Sequence, residues 1–382
     1  LDHTIFTKTR LPTDKAVTLD PDFYRKTELY EYESDKLFGE SWVCVGYTCD
    51  VDRPGKILRA SINNQPIVIT RNKAGELKGF YNVCRHRGSL LVLHDNKLER
   101  FRCPYHSWTY DLDGNLTNCP LFVSDDFTRS DYNLLPIQIA SYGCFIFACL
   151  SRDSNNKQSL LDYLGDLPKY YKNFPLEELV VVRRKKYIIN ANWKLVAENF
   201  LEYYHLPWVH PELCEVMPID MHKRNQGAGM FLSFYASPLS RTGSALDSDA
   251  LCPMPGLSKE QLQSGYFPFV FPNLALFLLP HHVFSLILSP NSINQTHESG
   301  DLLVHPSIFN DPAAQKKLDE IFAFYDMVNL QDIVAVERVQ LGIMAKGYAG
   351  GRMCYRFEEP VHRFQNMVID YLCSEKNNYK AD

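Results

Sequence analysis

No run of eighteen consecutive apolar residues occurs in the 382-residue chain, so a membrane-spanning helix is not expected. Positive charge is not in excess. Forty Lys and Arg face 45 Asp and Glu, for a net charge of −5, which argues against nucleic acid or an anionic membrane as a partner. The eleven cysteines are odd in number and scattered, without the spacing of a disulfide framework, so a reducing compartment is expected. Internal repeats and low-complexity tracts are absent. The opening Leu1-Asp2-His3-Thr4 lacks both an initiator Met and an apolar signal core. A cytoplasmic protein is therefore expected, or a stromal one from which a transit peptide has been removed.

Hydrophobic residues make up 45% and charged residues 22%, a globular composition, and the length calls for two domains rather than one core. Residues 1–40 form a leading segment, in which Pro21-Asp22-Phe23-Tyr24 predicts a helix start and Leu29, Tyr32 and Leu37 follow at helical spacing. From 41 to 155, short β-like runs alternate with turns: Trp42–Gly46, Pro66–Thr70, Cys144–Ala148, and a hairpin signal at Asp113-Gly114 between Tyr110 and Leu116. Residues 152–158 are polar and read as a linker. In 156–382, Lys186–Ile189 predicts a strand, Asn192–Val209 a helix as far as Pro207, and 266–289 paired antiparallel strands. Pro312–Gln340 and Glu359–Leu372 predict helices. Strands and helices without regular alternation give an α+β class.

Two stretches stand out, Cys84-Arg85-His86 and Cys103-Pro104-Tyr105-His106, with sixteen residues between His86 and Cys103. Chance, a tetrahedral zinc site and a Rieske [2Fe–2S] centre compete to explain them. Zinc sites usually pair like ligands, as Cys-x₂-Cys and His-x₃₋₅-His. Here each loop carries one cysteine and one histidine. That suits a Rieske centre, in which thiolates hold one iron and imidazoles the other.

A second constellation lies in Asn192-Trp193-Lys194 … Glu198-Asn199-Phe200-Leu201-Glu202-Tyr203-Tyr204-His205-Leu206-Pro207-Trp208-Val209-His210. Two histidines and a carboxylate with open positions form the facial triad of non-haem Fe(II) oxygenases. His205 and His210 are the candidate imidazoles. Glu202 stands three residues before His205, so a helix would bring both to one face, and Pro207 would end that helix. The alternative is an amphipathic helix with surface histidines. The third ligand must be a distant carboxylate: Asp332 sits among apolar neighbours, with Asp326 and Glu337 as rivals.

In combination, these motifs resemble the catalytic (α) subunit of Rieske non-haem iron oxygenases over almost the whole length. The resemblance implies a Rieske β-domain plus a helix-grip catalytic domain, an antiparallel sheet wrapped by helices. It implies a [2Fe–2S] cluster on Cys84, His86, Cys103 and His106, a mononuclear Fe(II) on His205, His210 and Asp332, and O₂ as co-substrate. NAD(P)H serves indirectly, through a separate reductase or ferredoxin. It also implies a homotrimer in which the cluster of one subunit lies near its neighbour's iron, bridged by a carboxylate. By motif position that carboxylate is Glu202, with His106 as its cluster partner, and Asn199 belongs to the same catalytic motif. The usual bridge is Asp. Glu here, the spacing from Asn199 to His205, and the ending Glu359-Pro360-Val361-His362-Arg363-Phe364 are closer to the choline, carnitine and glycine-betaine branch. Ser107 stands where glycine is common.

Monooxygenation of a quaternary ammonium or N-methylated amine is therefore expected, with N-dealkylation where an N-methyl carbon is hydroxylated. Tyr203, Tyr204 and Trp208 interleave the metal motif, and Phe267, Phe269, Phe271 and Phe277 follow later; such rings bind cations by cation–π attraction. Most aromatics are core, however, and the same rings suit a planar substrate. Aromatic-ring dihydroxylation is the alternative, and a Rieske electron carrier without oxygenase activity is a more distant one. His281-His282 reads as structural, and Arg183-Arg184-Lys185-Lys186 as a solvated face or a reductase-docking patch.

Overall fold

Two compact units make up the chain, Phe38–Leu160 and, together, Leu1–Leu37 with Leu161–Asp382. The computed structural model describes residues 2–95, 97–151, 158–239, 251–312 and 314–374. Apart from Gln158, the polar stretch expected as a linker lies outside them.

The unit Phe38–Leu160 is built from three small antiparallel sheets. One orders β1 (Val43–Tyr47), β9 (Phe145–Cys149) and β8 (Gln138–Tyr142); a second joins β2 (Ile57–Ile62), β3 (Gln65–Arg71) and β4 (Leu77–Tyr81); a third joins β5 (Phe101–Arg102), β6 (Thr109–Tyr110) and β7 (Leu116–Asn118). The apolar runs become interior strands: Ile67, Val68 and Ile69, and Phe145, Ile146, Phe147 and Ala148, are buried. Asp113-Gly114 turns the chain between β6 and β7. Gly114 has φ +85°, and a Cβ there would meet the Phe80 ring at 2.5 Å, so only glycine fits. Phe80, Phe101, Trp108 and Tyr110 pack in one core with Cys84 and Cys103.

The other unit holds a seven-stranded antiparallel sheet in the order β10 (Val180–Ile189), β16 (Gln295–Val304), β15 (Val283–Ser292), β14 (Leu274–Leu278), β13 (Gly265–Val270), β12 (Phe231–Ala236), β11 (His222–Arg224). Its helices are α1 (Asp22–Arg25), α2 (Thr27–Glu33), α3 (Leu160–Leu164), α4 (Leu167–Tyr170), α5 (Trp193–Phe200), α6 (Leu206–Val209), α7 (Pro211–Val216), α8 (Ala314–Ile343) and α9 (Glu359–Cys373). Helices α5, α8 and α9 pack on the sheet, the helix-grip arrangement. None of the helices among the described residues is long and apolar enough to cross a membrane. Pro268 interrupts the β13–β14 ladder. Tyr266 pairs with Leu278 and Phe269 with Ala275, but the residues between them are unpaired, as proline lacks the N–H.

Two expectations need correction. The helix expected to run from Asn192 to Pro207 ends at Phe200, and Pro207 sits in the first turn of the next helix, α6. Proline has no N–H to lose there, and its fixed φ suits that turn. Tyr32, expected on the packed side of the leading helix, is 36% exposed, whereas Tyr30, Glu33 and Leu37 are buried.

Candidate metal centres and active-site cavity

Cys84–His86 and Cys103–His106 lie on two loops closed by matching hydrogen bonds. Gly88 N donates to Cys84 O at 3.1 Å, and Ser107 N donates to Cys103 O at 3.0 Å. Four residues after each cysteine the backbone turns left-handed, at Gly88 (φ +72°) and Ser107 (φ +58°). This explains why glycine suits the position held by Ser107. The serine keeps the turn and accepts a hydrogen bond from Arg102 Nη2 through Oγ at 3.2 Å.

The loops bring all four candidate side chains together. The thiols of Cys84 and Cys103 are buried. The His86 and His106 rings lie 4.7 Å apart, and His86 stacks on Trp108 at 4.8 Å. Burial, helped by His106 and Arg87, lowers the His86 pKa, which favours the neutral imidazole, the form that ligates metal. Its Nδ1 is buried without a hydrogen-bond partner. Two buried thiols and an orphaned ring nitrogen facing a second imidazole fit a Rieske cluster.

In the catalytic unit, Asn192 caps α5 by accepting from Lys194 N at 3.1 Å. The helix carries Asn199 and stops one residue later. The turn that follows is shaped by Glu202: its Oε2 accepts the backbone N–H groups of Tyr204 and His205, and its Oε1 bonds His205 Nδ1. Glu202 and His205 therefore meet through a turn, not along a helix face. His210, 1% exposed, directs Nδ1 to Gln331 Oε1 at 2.7 Å and Nε2 to Asp332 Oδ1 at 2.7 Å. His205 Nε2 lies 3.4 Å from the same oxygen. Both imidazoles thus have Nδ1 held by a second residue and Nε2 turned toward one carboxylate. Ligand atoms of His205, His210 and Asp332 all lie within 4.8 Å of one another, the one such group among the described residues.

The donor set fits a divalent cation. Burial opposes a charge on His205, yet Asp332 and Glu202 pull its pKa up to about 10. A site that draws a proton so strongly is short of positive charge. Asn199 Nδ2 donates to Asp332 Oδ1 at 3.0 Å. The rival acids are occupied elsewhere: Asp326 receives Lys185 Nζ at 2.6 Å and Tyr187 OH at 2.7 Å, and Glu337 accepts from Asn190 N at 2.8 Å.

A cavity opens beside this group, walled by α5, α8 and the sheet. Phe200, Phe234, Phe267, Phe277, Phe284, Tyr203 and Tyr325 supply its rings, and Phe267 and Phe277 flank the gap left by Pro268. Of the residues expected at the substrate, Tyr203 lines this cavity and is 5% exposed. Tyr204 and Trp208 do not. Tyr204 is half-exposed and stacks on Phe357 at 5.2 Å, and Trp208 is 81% exposed. The break after Phe200 turns them outward, so the interleaving in sequence does not carry into space. Phe269 and Phe271 pack on Phe364 of α9 instead. His282 is fully buried, with Nε2 2.9 Å from Tyr325 OH, behind the cavity wall. Arg183 and Lys185 pair with Asp319 and Asp326.

Sequence reasoning missed Gln331, His222, Tyr325 and Glu298. Adjacency to Asp332 could have flagged Gln331, whereas the others come to the cavity only through the fold.

The described residues carry no disulfide at the eleven cysteines. Residues 41–137 match the Rieske [2Fe-2S] domain and residues 176–374 the ring hydroxylating alpha subunit (catalytic domain). The chain is 36% identical over 205 residues to the glycine betaine monooxygenase oxygenase subunit of Pseudomonas aeruginosa, a match covering 53% of this chain and 47%, about half, of that relative's length. It is 25% identical over 371 residues to the carnitine monooxygenase oxygenase subunit of Acinetobacter baumannii, covering 94% and 95% of the two chains. Its fold is that of the quaternary ammonium Rieske monooxygenase CntA, solved in complex with L-carnitine (TM-score 0.81, 23% identity, 97% of this chain and 99% of that one). With a Rieske domain followed by a catalytic domain that matches over more than half of its length, the chain belongs to the ring-hydroxylating alpha subunits of Rieske non-haem iron oxygenases.

Proposed function

We propose that the chain is an oxygenase component that hydroxylates a small quaternary ammonium or N-methylated amine with O₂ and reductase-supplied electrons. One oxygen atom enters a C–H bond. The other leaves as water, taking up two electrons and two protons. When the carbon is an N-methyl, the product releases formaldehyde and the amine. Cys84, His86, Cys103 and His106 would hold the [2Fe–2S] cluster, and His205, His210 and Asp332 the iron. Bound there, the cluster supplies one-electron transfer and the iron dioxygen activation. Glu202 and Gln331 hold the two imidazoles in the tautomer that leaves Nε2 for metal, and Asn199 orients Asp332.

The carrying observation is the cavity itself: seven aromatic rings and three carboxylates, with no lysine or arginine among the described residues of its lining. Rings and carboxylates attract an ammonium head. A neutral planar ring would leave the third carboxylate, Glu298, without a cationic partner, which weighs against the ring-dihydroxylation reading.

We further propose a homotrimer in which Glu202 links His205 to the cluster ligand His106 of a second copy. An exposed apolar groove of Trp208, Met327, Leu330 and Val334 near the metal motif supports burial against another surface. The functional test is turnover of the metal-loaded chain with a reductase. Oxygen uptake matched to loss of choline, carnitine or glycine betaine is expected. Uptake with benzoate or naphthalene alone would overturn the reading.

A further inference from the structure

Three carboxylates line the cavity, and two of them are engaged at the metal group: Asp332 by His205 and His210, Glu202 by His205. Glu298 is the third. It stands on β16, is 2% exposed, and accepts one hydrogen bond, from Asn329 Nδ2 to Oε1 at 2.6 Å. No ion pair reaches it among the described residues. Burial of a carboxylate without a cation is unfavourable, and burial raises this carboxyl to about 7. Glutamine would fill the same volume and bond Asn329 without a charge, so packing does not account for the acid.

We propose that Glu298 is the counter-charge for the substrate's cationic head, seating an ammonium group between its carboxylate and the aromatic wall. This rests on the substrate class proposed above. Phe277, Phe284 and Tyr325 line the same cavity, and Tyr325 stacks on Phe284 at 4.2 Å, a firm wall opposite which a cation would shed its water. Glu298 is thus assigned a specificity role, separate from the metal ligands and from the reacting atoms.

The test is calorimetric binding to the metal-loaded protein and to its E298Q and E298D variants. The probes are choline, glycine betaine, carnitine and 3,3-dimethylbutan-1-ol, the neutral isostere of choline. Thermal unfolding and iron content verify that the variants are intact. E298Q should weaken the tightest-bound ammonium compound by about 30-fold or more, as for loss of one partner of a desolvated charge pair. The neutral alcohol should bind unchanged, and E298D should restore part of the loss. Equal weakening of cation and isostere, or a loss below about 3-fold for the cation, would overturn the role of Glu298 and leave the substrate class standing. Failure of every ammonium compound to bind the unaltered protein would overturn the substrate class itself, and this role with it.

Discussion

Replacing Lys194 with methionine should destabilise the catalytic unit severely although Lys194 touches neither metal group. Its side chain and that of Glu33 are both fully buried, with Nζ 2.9 Å from Oε2 and 3.0 Å from Oε1. Trp193 Nε1 donates to the same Glu33 Oε1 at 2.7 Å, and the ammonium lies 5.0 Å over the Tyr24 ring. Without the lysine, Glu33 keeps one neutral donor for a carboxylate sealed from water. Breaking one side of such a pair costs about 3–5 kcal/mol. For a unit of this size each kcal/mol lowers the melting temperature by roughly 2–4 °C, so a fall on the order of 6–20 °C is expected by calorimetry. Pairing K194M with E33M removes the stranded charge and should recover most of the loss. A K194M melting point within about 2 °C of the original, or a double variant worse than both single ones, would refute the reasoning.

Other outcomes follow from the same geometry. S107G should stabilise the Rieske unit by about 1 kcal/mol by relieving a left-handed serine, less whatever the Arg102 contact contributes, as measured by the melting point of the cluster-loaded protein. E202Q should retain iron and sulfide but lose turnover, because a neutral amide replaces the carboxylate proposed to link His205 to the cluster of a second copy; normal activity in a loaded variant would sink that role. Glu198 is raised to about 7, by burial above all, against hydrogen bonds from Tyr24 and Gln365. The folded state thus holds its proton more tightly than the unfolded one. Stability is full below about pH 4.5 and falls as pH rises toward 7, and E198Q should flatten part of that fall in denaturation curves taken across the interval.

The metal motifs were legible in sequence because their chemistry is local. Cysteine and histidine two or three residues apart leave few uses, and the loops need only close on themselves. The turn after Phe200 was not legible. Leu201, Tyr203, Tyr204 and Leu206 continue a plausible helical pattern, and what stops it is a side chain, Glu202, taking two backbone N–H groups. The aromatic wall draws on four strands, two helices and the turn after Phe200, so the residues that share it run from Phe200 to Tyr325 and no period reveals them. Glu298 was hidden for another reason. In Gln295-Thr296-His297-Glu298-Ser299 an acid reads as the solvent side of a strand, and only the packing of α8 over that face buries it. The long helix is legible, since Leu318, Ile321, Tyr325 and Val328 keep a clear 3–4 spacing, and the observed helix Ala314–Ile343 runs about a turn beyond Gln340.

The most direct test of the account is iron and acid-labile sulfide per chain on anaerobically purified protein, with EPR of the dithionite-reduced sample. About three irons and two sulfides with a Rieske-type signal are expected, two irons in the cluster and one on His205, His210 and Asp332. Zinc with no sulfide, or a cluster whose signal survives in C84A and C103A variants, would contradict it.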